Sequence, residues 1–575
     1  MFAFIQKAPF LIELLFNGTF ILFYSLRSWG KLPHSWNPSI VTNGLEFASW
    51  LIPLILFMVV VINYLNSKDL EEFIRKYSFS FFVFVPLLIT WGDLEFCFWL
   101  SSAHLLSSML ALYDGDVKKN PLVESTATSF VFLRFSPAQI VLFSFGLTIL
   151  AGAFLLMLPV SAVDPNKLVS FVDALFMSAS ATCVTGLATI NPGEDLSVFG
   201  QMILLILSQI GGLGIMTLTA SMGLFMGKSM DMKERIVMQD LLESSSTQEL
   251  FDLIVSIVKY TFVIEAWGGI VLTVGFYLEG FDLGPALYHG FYHSIMAFCN
   301  AGLSSFSNSL ESYATAPLIN MTVACLILLG GIGFIVLREA NEVFSRKRRL
   351  RRLTLHTKMV LTVSGFLLFA GTAFIFFGEY MHALDGYTVW EQFQISFFQS
   401  VTTRTAGFDT IPMGNLNSYT LYVMIILMFI GASPGSTGGG IKTTTIGILT
   451  QTIKSLLWGG RKVEAFDRSI SPEAVIKAIA LTICSFAILA LFILVLMKTE
   501  PDQSFLAIVY ECTSAFGTVG LSMGITPFLT VAGKIAITLL MYIGRVGPLT
   551  LVLAVGQRST SRGLYERPEG KIIIG

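Results

Sequence analysis

The 575-residue chain is 54% hydrophobic and only 13% charged, against the roughly 25% charged residues of a soluble globular chain; this composition excludes a soluble protein and marks an integral membrane one. With 36 Lys and Arg against 38 Asp and Glu, the net charge of −2 carries no basic bias toward nucleic acid. The six cysteines (Cys97, Cys183, Cys299, Cys325, Cys484 and Cys512) lie in apolar segments without a C-x-x-C pair, which speaks for buried thiols and against a disulfide framework or zinc site.

A helix needs about 20 apolar residues to cross a hydrocarbon core of about 30 Å. The first apolar run, Phe10–Leu26, contains Glu13 and Asn17 and lacks a small-residue cleavage site, so it reads as a retained membrane segment. Phe47–Leu65 and Phe79–Leu112 follow, the latter carrying Asp93 and Glu95. Residues 1–121 thus read as two or three extra membrane helices, whose orientation the flanking charges leave open. Beyond them come Ile140–Leu158, Phe199–Phe225, Leu253–Leu278, Leu318–Leu337, Val360–Phe377, Tyr419–Leu449, Val475–Met497 and Phe528–Val555, eight spans that fall into four pairs.

Between the members of each pair lies a shorter, semi-apolar stretch: "FMSASATCVTGLAT" around Gly186, "YHSIMAFCNAGLSS" around Gly302, "FFQSVTTRTAGFDT" around Gly407 and "YECTSAFGTVGLSM" around Gly520. The glycines recur at intervals of 116, 105 and 113 residues, the signature of internal repetition. A second glycine follows each after 24 to 28 residues: Gly211, Gly330, Gly431 and Gly544. The expected organisation is four tandem helix–pore loop–helix repeats around a pseudo-fourfold pore in an all-α membrane fold. Repeat 1 covers 136–227, repeat 2 250–340, repeat 3 356–455 and repeat 4 472–557, with a cytoplasmic tail at 558–575. Each short stretch is too short to span lipid, and irregular backbone at membrane depth is tolerated only when buried in protein or lining a water-filled cavity.

Four such loops suit an ion filter, in which rings of backbone carbonyls replace an ion's hydration shell and glycine permits the backbone course that a Cβ obstructs. The candidate filter comprises Cys183, Val184, Thr185 and Gly186; Cys299, Asn300, Ala301 and Gly302; Arg404, Thr405, Ala406 and Gly407; and Gly517, Thr518, Val519 and Gly520. Small-residue helix packing accounts equally well for part of the second glycine set. Arg404 is expected to point behind the filter, toward Asp409 or Glu511, because on the ion path it would repel cations. His289 and His293 have no further ligand at metal spacing.

The stretch "GASPGSTGGGIKTTT" (Gly431–Thr445) misses a nucleotide-binding loop by one residue, since Ile441 stands where G-x-x-x-x-G-K-[ST] needs Lys. Pro434 and the run Gly438-Gly439-Gly440 break the second helix of repeat 3, and the resulting loop is expected beneath the filter as a gate built from Ser433, Pro434, Gly435, Ser436, Thr437, Gly438, Gly439, Gly440 and Lys442. Arg545, aligned with Gly212, Gly331 and Ala432, reads either as a pore-facing barrier to cations or as the partner of a membrane acid such as Glu265.

In order along the chain, "TCVTGL", "FCNAGL", "TTRTAGF", "GASPGSTGGGIKTTT", "GTVGLS" and "YIGRVGP" resemble the Trk/Ktr/HKT superfamily of potassium transporters, with most similarity to the bacterial KtrB-type membrane subunit, over about residues 136–557. The resemblance implies potassium uptake across the cytoplasmic (inner) membrane by a multi-pass protein that is not an enzyme. It implies potassium as the transported ion, favoured by Gly in all four loops, with sodium as a candidate coupled ion. It also implies a positive charge at Arg545 below the filter, a homodimer with a pore in each subunit, and a cytoplasmic ring of nucleotide-binding regulatory subunits. The linkers carry Lys228, Lys233 and Arg235, then "RKRRLRR" (Arg346–Arg352), then Lys454, Arg461, Lys462 and Arg468, which places linkers and tail in the cytoplasm and the filter outward. Two alternatives stay open: the membrane subunit of a potassium-pumping ATPase, and a sodium-conducting member of the same superfamily.

Overall fold

The structure, a computed structural model, describes residues 137–164, 169–214, 247–345, 353–460 and 462–548, with scattered helical positions between 14 and 105. The "RKRRLRR" block, the linker basic residues 228–235, most of the expected N-terminal helices and the tail 558–575 lie outside the described residues. The chain divides into two compact units, an N-terminal one ending at Phe135 and one that carries the four repeats from Ser136. In the N-terminal unit Phe20, Leu45, Ile52 and Cys97 are buried together, and Tyr24 stacks on Phe98 with ring centroids 4.4 Å apart.

Among the described residues, the repeat unit is helical apart from one short hairpin, β1 (Glu464–Ala465) and β2 (Arg468–Ser469). Repeat 1 comprises α1 (Pro137–Leu156), α2 (Phe171–Thr182) and α3 (Val198–Leu213); repeat 2 comprises α4 (Thr247–Leu278), α5 (Leu283–Cys299), α6 (Pro317–Gly331) and α7 (Phe334–Phe344). Repeat 3 comprises α8 (Leu355–Glu379), α9 (Val389–Thr402), α10 (Ser418–Phe429) and α11 (Thr443–Leu457); repeat 4 comprises α12 (Pro472–Thr499), α13 (Phe505–Gly517) and α14 (Val531–Val546). Among the described residues, Ile254–Leu278 within α4, together with α8 and α12, is long and apolar enough to cross a membrane. These helices expose Trp267, Phe366, Phe369, Phe377 and Leu494, an outward face suited to lipid.

The middle helices α2, α5, α9 and α13 are only 12 to 17 residues long. Their starts are written locally: Ser170, Asp282, Thr388 and Ser504 stand at the N-caps, and Thr388 with Glu391 forms a full capping box. Three of them are seated against their own first helix by small residues, which let backbones approach where lipid removes any hydrophobic drive between helices. In three repeats the same device recurs. Gly152, Gly268 and Gly371 on the first helices face Ser178, Ser294 and Ser400 on the middle helices. The serine hydroxyls donate to Ile149 O, Glu265 O and Leu368 O at 2.6, 2.7 and 2.9 Å, in every case the carbonyl three residues before the glycine.

The repeats close into a ring because each second helix packs on the next repeat's middle helix: α3 on α5, α6 on α9, α10 on α13 and α14 on α2. An ion pair seals the last of these junctions, with Lys534 Nζ 2.7 Å from Asp173 Oδ1. Besides the break expected in repeat 3, the second helix of repeat 2 is interrupted. α6 and α7 meet at a bend of 105°, at Gly333 with φ of +98°, and α3 and α14 end at Gly214 and Gly547 with φ of +80° and +91°. These three glycines occupy the same place in "GGLG", "GGIG" and "GRVG", and a positive φ ends a helix where only glycine is at ease.

Candidate functional site

At the C-terminal end of each middle helix the chain turns back through a short extended segment. Its course is the same in all four repeats: φ is positive two residues before the ring glycine, at Val184 (+58°), Asn300 (+61°), Thr405 (+74°) and Thr518 (+51°), and positive again at Gly186, Gly302, Gly407 and Gly520 (+100°, +65°, +82° and +98°). The residues between them, Thr185, Ala301, Ala406 and Val519, keep negative φ. Sequence reasoning anticipated the glycines and missed the other four, since nothing in "Val" or "Thr" announces a left-handed conformation. A β-branched residue there is costly, about 1–2 kcal/mol, and such strain persists only where surrounding contacts over-determine it.

Those contacts are hydrogen bonds running behind the segment. Thr185 N, Ala301 N and Val519 N donate to Ser180 O, Met296 O and Ser514 O at 2.7, 2.8 and 2.8 Å, while Ala406 N donates to Thr402 O at 3.0 Å. In repeats 1 and 4 the glycine N–H is also taken, by Ser180 Oγ and Ser514 Oγ, both at 3.0 Å. The amide donors are thereby committed to the helix ends, the satisfaction of orphan carbonyls seen at Schellman-type caps.

The four glycines form a closed ring. A Cβ added to Gly186 would lie 2.8 Å from Ala301 O, one on Gly302 2.6 Å from Ala406 O, and one on Gly407 2.5 Å from Val519 O; a Cβ on Gly520 would come closer still to Thr185 O. Each repeat thus touches the next, and the fourth returns to the first. On the outer side all four glycines line one cavity of about 480 Å³, together with Ser304, Ser522 and Asp409.

The Gly431–Thr445 stretch lies directly against the inner side of this ring. Ile430 and Ile441 pair as a parallel bridge, Gly431 N donates to Ile441 O at 2.9 Å, and the turn between them reaches repeats 2 and 4. Ser433 N and Thr437 N donate to Gly331 O and Gly330 O at 3.0 and 3.2 Å, and Phe334 N donates to Gly435 O at 2.9 Å. Thr437 Oγ1 donates to Phe298 O at 3.2 Å, and Gly439 N donates to Thr518 Oγ1 at 3.0 Å. Gly438 packs against Thr405 Oγ1 and Gly439 against Thr518, so closely that neither position has room for a Cβ. The hydroxyl of Ser436 is turned back onto Ser433 O at 2.6 Å, because a tight turn after Pro434 satisfies its own donors first. Gly440 has φ of +69° and Gly435 of +63°.

Two cations converge on this loop. Arg545 donates to Thr437 O and to Gly211 O, bridging the loop to repeat 1, and Lys442 Nζ donates to Gly438 O at 2.7 Å. Of the two readings of Arg545, the ion pair with Glu265 is not formed: the Glu265 carboxylate accepts from Gln209 Nε2 at 3.2 Å and lies near Cys299 Sγ. Arg404 does point behind the ring, but not toward Asp409 or Glu511. Its guanidinium reaches α8, donating to Ser364 Oγ at 2.9 Å and to Ser364 O, and it forms no ion pair among the described residues. Glu511 is instead held by Ser522 and Thr526, and Asp409 sits beyond the ring with its N–H on Ser309 Oγ. Asn300 faces Thr405 Oγ1 at 3.3 Å, its amide nitrogen donating to Ala297 O and Ile327 O. Gly211, Gly330 and Gly544 pack against Thr182 O, Phe298 O and Phe516 O of their own middle helices, so for the second glycine set close packing is what the structure displays.

Comparison with known proteins agrees with this geometry. A family model described as a cation transport protein, TrkH, matches residues 136–561. The chain is 38% identical over 446 residues to the Ktr system potassium uptake protein B of Bacillus subtilis, covering 77% of this chain and 98% of that protein. It is 37% identical over 448 residues to the potassium/sodium uptake protein NtpJ of Enterococcus hirae, again covering 77% and 98%. A crystal structure of the potassium transporter TrkH from Vibrio parahaemolyticus shares the fold, with a TM-score of 0.59 at 18% identity, covering 89% of this chain and 98% of that one. The chain is therefore a multi-pass membrane transporter rather than an enzyme, and it belongs to the TrkH family of cation transport proteins.

Proposed function

We propose that the chain takes up potassium across the cytoplasmic membrane through the four-repeat ring, acting as a selectivity filter. The observation that carries this reading is the closed succession of Gly186, Gly302, Gly407 and Gly520, each against the carbonyl that precedes the next. Alternating positive and negative φ turns successive carbonyls to one side of each segment, and the amide donors are already bonded behind it. The oxygens are left to replace a cation's hydration shell, while the N–H groups of Thr185, Ala301, Ala406 and Val519 are taken. The names of the relatives from Bacillus subtilis and Enterococcus hirae support potassium as the ion.

In this reading the Ser433–Gly440 loop is the gate. It packs against the inner side of the ring, is fastened to repeats 2 and 4, and accepts hydrogen bonds from Lys442 and Arg545 where a cation would leave. A fixed positive charge in a low-dielectric passage raises the barrier to cations steeply, so opening must move the loop and its two cations together. A separate cytoplasmic nucleotide-binding subunit would supply the work of opening, and two copies of the chain, each with its own pore, would form the membrane unit. Sodium is the proposed coupled ion. A second reading, sodium conduction through the same ring, draws on the potassium/sodium name of the Enterococcus hirae relative. Rubidium uptake into liposomes of the purified chain, with sodium as competitor, separates the two: potassium selectivity requires that sodium compete weakly and that Gly186→Ser raise its competition. Flux indifferent to substitution at all four glycines would remove the filter reading.

A further inference from the structure

Behind the ring, two of the four repeats share one form of link between the middle helix and the segment that leaves the ring. Nine residues before the ring glycine stand His293 in repeat 2 and Glu511 in repeat 4, and two residues after it stand Ser304 and Ser522. His293 Nε2 lies 3.0 Å from Ser304 Oγ, and Glu511 Oε2 accepts from Ser522 Oγ at 2.9 Å. Each serine oxygen in turn accepts from the N–H four residues after the glycine, Phe306 N and Gly524 N, both at 3.0 Å. His293 Nδ1 is 2.8 Å from His289 O. A carbonyl can only accept, so Nδ1 carries the proton and Nε2 takes the serine hydroxyl, which lies closer to it than to its other acceptor, Ser309 O, at 3.4 Å. The imidazole and the carboxylate thus do the same thing: both are acceptors, both fully buried, and both draw the exit of the segment back onto its own middle helix.

Repeats 1 and 3 place Met177 with Ala188 and Phe398 with Asp409 at the matching positions, pairs in which an apolar side chain can accept nothing. Because the repeats neighbour one another in the order 1-2-3-4, repeats 2 and 4 face each other across the ring. The filter therefore carries this serine brace in two opposite repeats, where Ser304 and Ser522 also line the outer cavity, while repeat 3 ties its exit through Thr402 Oγ1 on Phe408 O at 2.6 Å and Gln399 Nε2 on Thr410 Oγ1 at 3.3 Å.

We propose that His293 is a positioning residue for cation selectivity: together with Glu511 across the ring, it fixes the outer end of the filter by holding Ser304. The inference rests on the filter reading, since it concerns the spacing of the carbonyls that precede the brace. It does not place His293 in contact with the ion.

Rubidium uptake by the purified full chain in liposomes, titrated with sodium, tests it in five variants: His293→Leu, His293→Gln, Ser304→Ala, the His293→Leu/Ser304→Ala double, and Gly302→Ser as a control. His293→Leu is expected to lower the rubidium-over-sodium ratio about three- to tenfold, the scale of one hydrogen bond. Ser304→Ala should do the same and the double variant no more, while His293→Gln, whose amide oxygen accepts as Nε2 does, should restore the ratio. Ser304→Ala removes only a hydroxyl and carries the test if His293→Leu does not fold. An unchanged ratio in Ser304→Ala or His293→Leu beside an altered one in Gly302→Ser overturns the brace and spares the filter; so does a His293→Gln variant as impaired as His293→Leu. A ratio unmoved in all five, Gly302→Ser included, overturns the filter reading itself.

Discussion

Replacing each ring glycine by alanine is expected to lower rubidium-over-sodium selectivity unequally, and the structure ranks the two ends of the series. At Gly302 the backbone sits at φ of +65°, inside the left-handed well that an alanine enters at a cost of about 1–2 kcal/mol, and the new methyl would lie 2.6 Å from Ala406 O. At Gly520 φ is +98°, beyond that well and in a region that is nearly glycine's own; there the methyl would press on Thr185 O more closely than at any other ring position and lie 2.9 Å from Gly186 Cα. Both obstacles are backbone atoms of a close-packed ring and cannot step aside as a side-chain end could. If the ring opens to relieve the clash, each 1.4 kcal/mol of lost coordination is about a tenfold loss of preference. Gly302→Ala should therefore cost about tenfold in the rubidium-over-sodium ratio, and Gly520→Ala about a hundredfold or more. The assay is competitive rubidium uptake into liposomes, with circular dichroism as the control for fold. Equal losses at the two sites, or a larger loss at Gly302, would refute the argument from ring geometry.

Deleting Ser433–Gly440 should raise flux and leave the selectivity ratio unchanged, because the loop touches the ring only from its inner side; unchanged flux in the same uptake assay would count against a gate. Arg545→Gln should raise flux in the same direction, by about tenfold, since it removes both a positive charge and the bridge from Thr437 O to Gly211 O. Lys534→Met should lower thermal stability in detergent by about 1–2 kcal/mol by leaving Asp173 unpaired at the repeat 4 to repeat 1 junction, and exchanging the two charges should recover part of it. Gly211→Ala, which drives a methyl into Thr182 O, should reduce the yield of folded protein more than Gly365→Ala, where the space is open; size-exclusion profiles decide it. At the exposed start of α9, the Thr388 N–H and then the Thr388 hydroxyl hold the Glu391 carboxyl below its ordinary range. The capping it provides is present above the unfolded carboxyl pKa and is lost as pH falls through the lower folded one, so Glu391→Gln should flatten the acid limb of the melting profile.

Composition alone placed this chain in a membrane, and the near-constant spacing of Gly186, Gly302, Gly407 and Gly520 revealed four repeats and the short segments between their helices, because both are one-dimensional patterns. The break at Pro434 and Gly438–Gly440 was equally legible, since proline and glycine act on the backbone at the residue where they stand. What the pattern could not carry was anything settled between repeats. Val184, Asn300, Thr405 and Thr518 adopt left-handed conformations only because middle-helix carbonyls behind them claim the neighbouring amides. Arg404 turns to Ser364, rather than to an acid, because α8 is what packs behind it. The bend of the second helix in repeat 2 at Gly333, and the ends of α3 and α14 at Gly214 and Gly547, rest on single glycines, whose letters also fit an unbroken membrane helix. The closure of repeat 4 onto repeat 1 joins residues more than three hundred positions apart, as Lys534 does with Asp173 and Arg545 with Gly211. A periodic sequence says that equivalent segments exist; which of them touch, and which side chain fills the space between, is settled by packing in three dimensions.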